Sequence, residues 1–123
     1  MSFVRYLVSD VEASVEFYGR LGFTLERQFP AIAMVRRDDV VLWLAGPDSS
    51  AARPMPDGRV PEAGGWNRFV LTVEDLDATV ADLRAHGVGF RNDIVTGPGG
   101  RQILAEDPSG NVVELFEPAE PDA

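Results

Sequence analysis

The chain has 123 residues, of which 45% are hydrophobic and 25% are charged, a composition typical of one soluble globular domain. Its net charge of −9 argues against nucleic-acid binding, since phosphate recognition needs a basic surface. The absence of cysteine excludes disulfides and thiolate metal sites, and the single histidine, His86, excludes a two-histidine metal site. No apolar run approaches the roughly 18 residues of a membrane span, and residues 1–5 lack a signal-peptide pattern, so we expect a cytoplasmic protein.

The first half of the chain predicts a strand, a helix and three further strands. The opening strand spans Phe3 to Val8, and Asp10 stands where a helix N-cap accepts backbone N–H groups. Gly22 stands where that helix should stop, because glycine readily adopts the left-handed backbone of a helix end. Three shorter apolar stretches predict strands at 23–25, 31–35 and 40–44.

The second half repeats this order of elements. Its predicted strand at 68–73 precedes a helix that begins after Asp75 and stops at Gly87, and further strands are predicted at 89–91, 102–105 and 112–116. The glycine-rich segment 96–102 and the segment 107–110 are predicted turns. Aligned without gaps, the two halves share Val8/Val73, Asp10/Asp75, Ala13/Ala78, Val15/Val80 and Gly22/Gly87. Each half is therefore predicted to be a β-α-β-β-β module.

A proline- and glycine-rich segment at 46–65 separates the two halves. A structureless stretch of this length is often either mobile or a cover over a binding site. We therefore expect a single domain at 1–118, with module one at 3–45, the linker at 46–65 and module two at 66–118. Residues 119–123 are predicted to form a disordered tail.

Three segments carry a resemblance to a known family: VSDVEASVEFYGRLGF, VEDLDATVADLRAHGV and EDPSGNVVELFEP. They resemble the vicinal oxygen chelate superfamily, which holds glyoxalase I, extradiol dioxygenases, fosfomycin-resistance enzymes and bleomycin-resistance proteins. The resemblance covers nearly the whole chain. It implies an α+β fold in which the two modules form an incomplete barrel around a cavity, and it implies a homodimer.

Metal-using members of that superfamily usually take four ligands, one from the opening strand and one from the last strand of each module. The equivalent positions in this chain are Phe3, Trp43, Arg68 and Glu114. Only Glu114 can bind a divalent ion, because phenylalanine and tryptophan offer no lone pair and arginine stays charged. Transition-metal sites need about three or more protein ligands. We therefore expect neither the usual metal nor another cofactor.

Alternation along the strands predicts which side chains line the cavity. They include aromatic rings, guanidinium groups and one carboxylate, the mixture found in small-molecule pockets. The predicted ligand-binding residues are Phe3, Arg5, Trp43, Trp66, Arg68, Glu114 and Phe116, with Val70 and Val112 on the same side.

Several of these residues have two possible roles. Arg68, with or without Arg5, is expected to pair with Glu114, either as a structural ion pair or as part of a binding site. Trp43 stacks on a ligand or fills the core, and Trp66 borders the cavity or anchors a loop. If the chain catalyses a reaction, Glu114 is the candidate general base, although an adjacent arginine would keep it ionised.

The sequence favours a metal-independent protein that binds a small molecule and sequesters an antibiotic or a toxic metabolite. The alternative is an enzyme, a lyase, isomerase or dioxygenase resembling lactoylglutathione lyase. A third possibility is a closed domain whose role is assembly alone. His86 is predicted to be a surface residue, and Arg101 is a candidate contact for an anionic ligand.

Overall fold

A computed structural model describes residues 1–120 of the chain. Within them, two helices are present, α1 (Val11–Arg20) and α2 (Leu76–Ala85), and a short 3₁₀ helix spans Ser50–Ala52. The strands are β1 (Val4–Leu7), β2 (Thr24–Gln28), β3 (Ile32–Arg37), β4 (Val40–Ala45), β5 (Val70–Thr72), β6 (Val95–Gly97), β7 (Gly100–Glu106) and β8 (Val112–Pro118). None of the helices in this described part is long and apolar enough to cross a membrane. Residues 121–123 of the predicted tail lie outside the described residues.

The chain divides into two compact units, one made of Met1–Gly64 with Pro108–Asn111 and the other of Gly65–Asp107 with the chain from Val112. The first contains a four-stranded sheet in the order β1-β4-β3-β2, and the second contains one in the order β5-β8-β7-β6. In each sheet the opening strand runs parallel to the last strand, and the other neighbours are antiparallel. The predicted α+β fold with two tandem β-α-β-β-β modules is confirmed.

Both helices start and stop where the sequence predicts. Asp10 and Asp75 each accept a hydrogen bond at 3.0 Å from the backbone N–H three residues later. Gly22 and Gly87 follow the helix ends with φ of +89° and +81°, a backbone that suits glycine. Each N-cap stabilises its helix by about 1 kcal/mol, so these limits follow from local sequence.

Each unit buries one face of its helix. In the first unit, the Tyr18 ring is fully buried and meets the Phe17 and Phe23 rings edge-on, with centroids 5.0 and 5.5 Å away. In the second unit, α2 buries Leu76, Val80 and Leu83.

Two predicted elements of the second module are wrong in detail. The predicted strand at 89–91 is reduced to one isolated bridge between Phe90 and Ala105. The Asn92 side chain accepts the Leu104 N–H at 2.9 Å, so a side chain takes the place of the next backbone partner. The turn predicted at 96–102 is confined to 98–99, where it joins β6 to β7 in a hairpin with Gly97 opposite Gly100.

Candidate functional site

The first unit brings three of the predicted site residues together. The Phe3 and Trp43 rings are stacked, with centroids 4.0 Å apart and planes 14° from parallel. The Arg5 guanidinium lies over the same indole, 5.5 Å from its centroid, because Arg5 and Trp43 are register partners in parallel strands. Phe3 is 40% exposed. The cluster is therefore an aromatic surface with a cation beside it, suited to stacking on a planar group.

The second unit contains the predicted ion pair between Arg68 and Glu114. Arg68 Nε and Nη2 both donate to Glu114 Oε1, at 2.9 and 2.7 Å. The Glu114 side chain is 11% exposed and that of Arg68 is 29% exposed. The Glu114 carboxylate in the middle of β8 thus has the arginine partner that its burial requires.

The two oxygens of the Glu114 carboxylate differ in their contacts. Both guanidinium donors converge on Oε1, and within residues 1–120 no side chain or backbone group donates to Oε2. A fork-to-fork arrangement would have used both oxygens. Oε2 is therefore available to accept a hydrogen bond from a bound molecule.

Trp66 lies at the end of the linker and is 66% exposed. The Arg91 guanidinium stacks 4.5 Å from its ring centroid and also donates to the Gly65 carbonyl at 2.6 Å. Arg68 Nη1 donates to the Trp66 carbonyl at 3.2 Å. Arg91 thus contacts the indole of Trp66, and Arg68 holds its backbone.

Sequence reasoning missed Arg91 as a residue of this region. Arg91 Nε donates to Glu106 Oε2 at 3.3 Å, across the segments that are joined by the Phe90–Ala105 bridge. A signal was available, because the two residues lie diagonally across the bridged segments, where long side chains of opposite charge can pair.

The remaining predicted positions are less open to a ligand. Phe116 is half-buried and lies opposite Thr72 of β5 and Gln102 of β7. Val112, predicted on the same side, is only 1% exposed. His86 caps the end of α2, and its Nδ1 lies 2.8 Å from the Asp82 carbonyl oxygen, so it belongs to the helix end.

The residues present do not fit the metal that many relatives use. Within the described part of the chain, no group of three or more histidine, cysteine, aspartate or glutamate side chains could hold a metal ion. Two of the expected ligand positions carry the stacked rings of Phe3 and Trp43, and a third carries the guanidinium of Arg68. These groups have no lone pair to offer a cation.

Arg101, predicted as a candidate contact for an anionic ligand, instead donates its hydrogen bonds to carboxylates of its own unit. Its Nη1 and Nη2 donate to the two oxygens of Asp77 at 3.3 and 2.7 Å, and its Nε donates to Glu117 Oε2 at 3.2 Å. Glu117 Oε1 also accepts the Leu76 N–H at 3.0 Å. The three side chains therefore tie β7 and β8 to the start of α2.

This network changes the pKa of each member. The hydrogen bond from Arg101 holds the pKa of Asp77 below its ordinary value of 3.8. The Leu76 N–H, followed by Arg101, holds the pKa of Glu117 below its ordinary value of 4.5. The pKa of Arg101 is raised, chiefly by Asp77 and then by Glu117.

The network of Arg101, Asp77 and Glu117 should make the free energy of unfolding depend on pH. Because both carboxyl pKa values are lowered on folding, its contribution is present above their ordinary values of 3.8 and 4.5 and is lost as the pH falls through the lower folded values. In urea unfolding, Arg101→Gln should therefore be less stable than the parent at about pH 7 and nearly equal to it at about pH 2. Arg53→Gln, at an exposed position, is the control. A difference that stays constant with pH would contradict the charge network.

Comparison with known proteins agrees with the fold and gives a family. The family model of the Glyoxalase/Bleomycin resistance protein/Dioxygenase superfamily matches residues 1–115 of the sequence. No curated protein matched the chain.

Among solved structures, TnmS3, an antibiotic binding protein from Streptomyces sp. CB03234, is 29% identical with a TM-score of 0.71, covering 97% of this chain and 98% of that one. A glyoxalase/bleomycin resistance protein/dioxygenase from Nocardioides is 26% identical with a TM-score of 0.71, covering 98% of this chain and 84% of that one. Lactoylglutathione lyase from Agrobacterium tumefaciens is 20% identical with a TM-score of 0.71, covering 95% and 92%, and this likeness concerns the fold alone.

Proposed function

Because the chain belongs to the Glyoxalase/Bleomycin resistance protein/Dioxygenase superfamily, we propose that it is a small-molecule-binding protein that works without a metal ion. Its ligand is an antibiotic or another toxic metabolite, which the protein sequesters. The similarity to TnmS3, described as an antibiotic binding protein, supports this ligand class.

The observation that carries the proposal is the replacement of metal ligands by groups suited to organic molecules. The Phe3–Trp43 stack offers an aromatic face in the first unit, with the Arg5 cation beside it. In the second unit, Arg68 supplies a fixed positive charge next to Glu114, whose Oε2 has no partner within residues 1–120. Stacking surfaces with a few placed polar groups are the usual means of binding small molecules.

The cellular setting belongs to the same proposal. We propose that the protein is a homodimer, as the family resemblance implies, and that it acts in the cytoplasm. The net charge of −9 would favour the approach of cationic ligands. Light scattering at several protein concentrations measures the oligomeric state directly.

Ligand binding can be tested by fluorescence, because Trp43 lies in the proposed site. We would titrate cationic and planar antibiotics, bleomycin and an anthracycline among them, into protein prepared in EDTA. We expect saturable quenching for at least one compound. The Phe3→Ala variant should weaken its binding by about threefold to tenfold, through the loss of one aromatic contact.

The matched control for Phe3→Ala is Phe29→Ala. Phe29 is 43% exposed and has the Arg27 guanidinium 5.3 Å from its ring, so it resembles Phe3 in exposure and in having a cation nearby. Equal losses in the two variants would contradict a specific role for the Phe3–Trp43 stack. Binding that disappears in EDTA and returns with a stoichiometric transition metal would contradict metal independence.

An enzyme is the second candidate, and the unpartnered Oε2 of Glu114 is the observation that favours it. A carboxylate oxygen in this position could accept a proton from a carbon next to a carbonyl. Arg68 opposes this role, because both of its donors already engage the other oxygen of the same carboxylate. Turnover of the methylglyoxal–glutathione adduct by protein in EDTA, abolished in Glu114→Gln, would favour the enzyme over the binding protein.

A further inference from the structure

A cavity of about 270 Å³ lies in the first unit, where β1 and β4 end. Its apolar lining includes Val8, Ala45, Ala52 and Val60. Phe3, Arg5 and Trp43 are not among its lining residues, so it is separate from the aromatic cluster described above. Its volume is slightly below the roughly 300–1,000 Å³ of typical ligand pockets, so it suits a molecule of about one ring.

The linker forms one wall of this cavity and is held at both ends. At its start, the Gly46 N–H donates to the Ala31 carbonyl, next to β3, at 2.8 Å. At its end, the Gly64 N–H donates to the Asn111 side-chain oxygen at 2.9 Å. The nitrogen of the same amide donates to the Leu7 carbonyl at 2.7 Å, at the end of β1. Asn111 is buried, so one amide fixes the linker to the strand that lines the other side.

The polar groups of the cavity are two hydroxyls and one carboxylate. The hydroxyl oxygens of Ser9 and Ser109 lie 3.3 Å apart, and the Ser109 hydroxyl accepts the Ser9 N–H at 2.9 Å. Glu62, an exposed residue, also lines the cavity, and within residues 1–120 its carboxylate has no hydrogen-bond or ion-pair partner. An unpaired carboxylate beside an apolar surface attracts a cation that carries an apolar body.

We propose that this cavity is a second binding site, for a small organic ammonium ion with one hydrophobic ring. The ring packs on the apolar lining, the ammonium group pairs with Glu62, and the Ser9 hydroxyl accepts a further hydrogen bond from it. This site is independent of the function proposed above, because it uses none of the residues assigned to that function.

Benzylamine, protonated at neutral pH, is a suitable probe, and benzyl alcohol is its neutral counterpart. In amide NMR spectra of the full chain, benzylamine should shift the Ser9, Gly46, Ala63 and Ser109 signals saturably. A fragment of this size should bind with a dissociation constant of about 1–10 mM. Benzyl alcohol should bind about threefold to fivefold more weakly, because it lacks the charge.

Two variants separate the site from the general negative charge of the protein. Glu62→Gln should remove the preference for benzylamine over benzyl alcohol, whereas Asp39→Asn, the same charge change at an exposed residue outside the cavity, should retain it. Ala63→Leu should weaken both probes by filling the space. Equal effects of Glu62→Gln and Asp39→Asn would overturn the proposal. So would unchanged binding in Ala63→Leu, or the absence of saturable shifts with benzylamine.

Discussion

Arg68→Ala is expected to lower the free energy of unfolding by about 2–4 kcal/mol, because it leaves a carboxylate inside the protein without its counterion. Glu114 is only 8% exposed, and both hydrogen bonds to its carboxylate within residues 1–120 come from Arg68. The variant also loses the hydrogen bond to the Trp66 carbonyl. Urea unfolding followed by circular dichroism measures the loss.

Comparison with the reverse deletion tests the cause of that loss. Glu114→Ala should lower the free energy of unfolding by less, about 1–2 kcal/mol. The Arg68 side chain is already 29% exposed and can become solvated when its partner is removed. The double variant should lower the free energy of unfolding by less than the sum of the losses in the two single variants. Arg36→Ala, which breaks an exposed pair with Glu26 in the first unit, is the control and should change stability by under about 1 kcal/mol. Strict additivity of the Arg68 and Glu114 changes would refute the coupling.

Gly100→Ala is the second change with a large expected effect, and it should lower the free energy of unfolding by roughly 2–4 kcal/mol. Gly100 starts β7 opposite Pro118 of β8, with φ of +147°. A Cβ there would collide with the Glu117 carbonyl oxygen and lie 3.0 Å from Ala119 N and Pro118 Cα. All three are backbone atoms, so no side chain can move aside. The end of the β7–β8 pairing would have to open, and Glu117 would move with it.

The neighbouring glycine provides a matched control. A Cβ added at Gly99 would meet no atom within 4 Å. Gly99→Ala should therefore be close to the parent in thermal and urea unfolding, whereas Gly100→Ala should unfold at lower temperature and lower urea concentration. Equal unfolding midpoints for the two variants would contradict this prediction, because they would show that β8 can move away from position 100 without loss of stability.

These variants also show which experiments report on function. A loss of stability in Arg68→Ala is expected whether the ion pair serves a ligand or the structure alone. Phe3 is 40% exposed, so Phe3→Ala should affect binding more than stability. Binding measured with Phe3→Ala is therefore the more direct test of the proposed function.

The sequence by itself determined the order of elements and the limits of both helices. Asp10, Asp75, Gly22 and Gly87 act through hydrogen bonds and backbone angles within a few residues, so their roles can be read without knowing the rest of the fold. The apolar strand around Glu114 indicated that its carboxylate needs a partner, and the ligand positions implied by the family resemblance pointed to Arg68. The strand at 89–91 was predicted wrongly because the Asn92 side chain, and not the backbone, accepts the Leu104 N–H. No local sequence pattern indicates that replacement.

Only the tertiary structure decided the geometry of the contacts. Arg68 and Glu114 are 46 residues apart in the chain, and the folded chain places both guanidinium donors on one oxygen and leaves the other available. Asn111 reaches back 104 residues to Leu7 and also holds Gly64, which makes the linker a cavity wall. Such contacts depend on register and packing between distant segments, whereas caps and turns depend on neighbours along the chain. The local signals therefore specified the two modules, and the long-range contacts specified the geometry of the candidate sites.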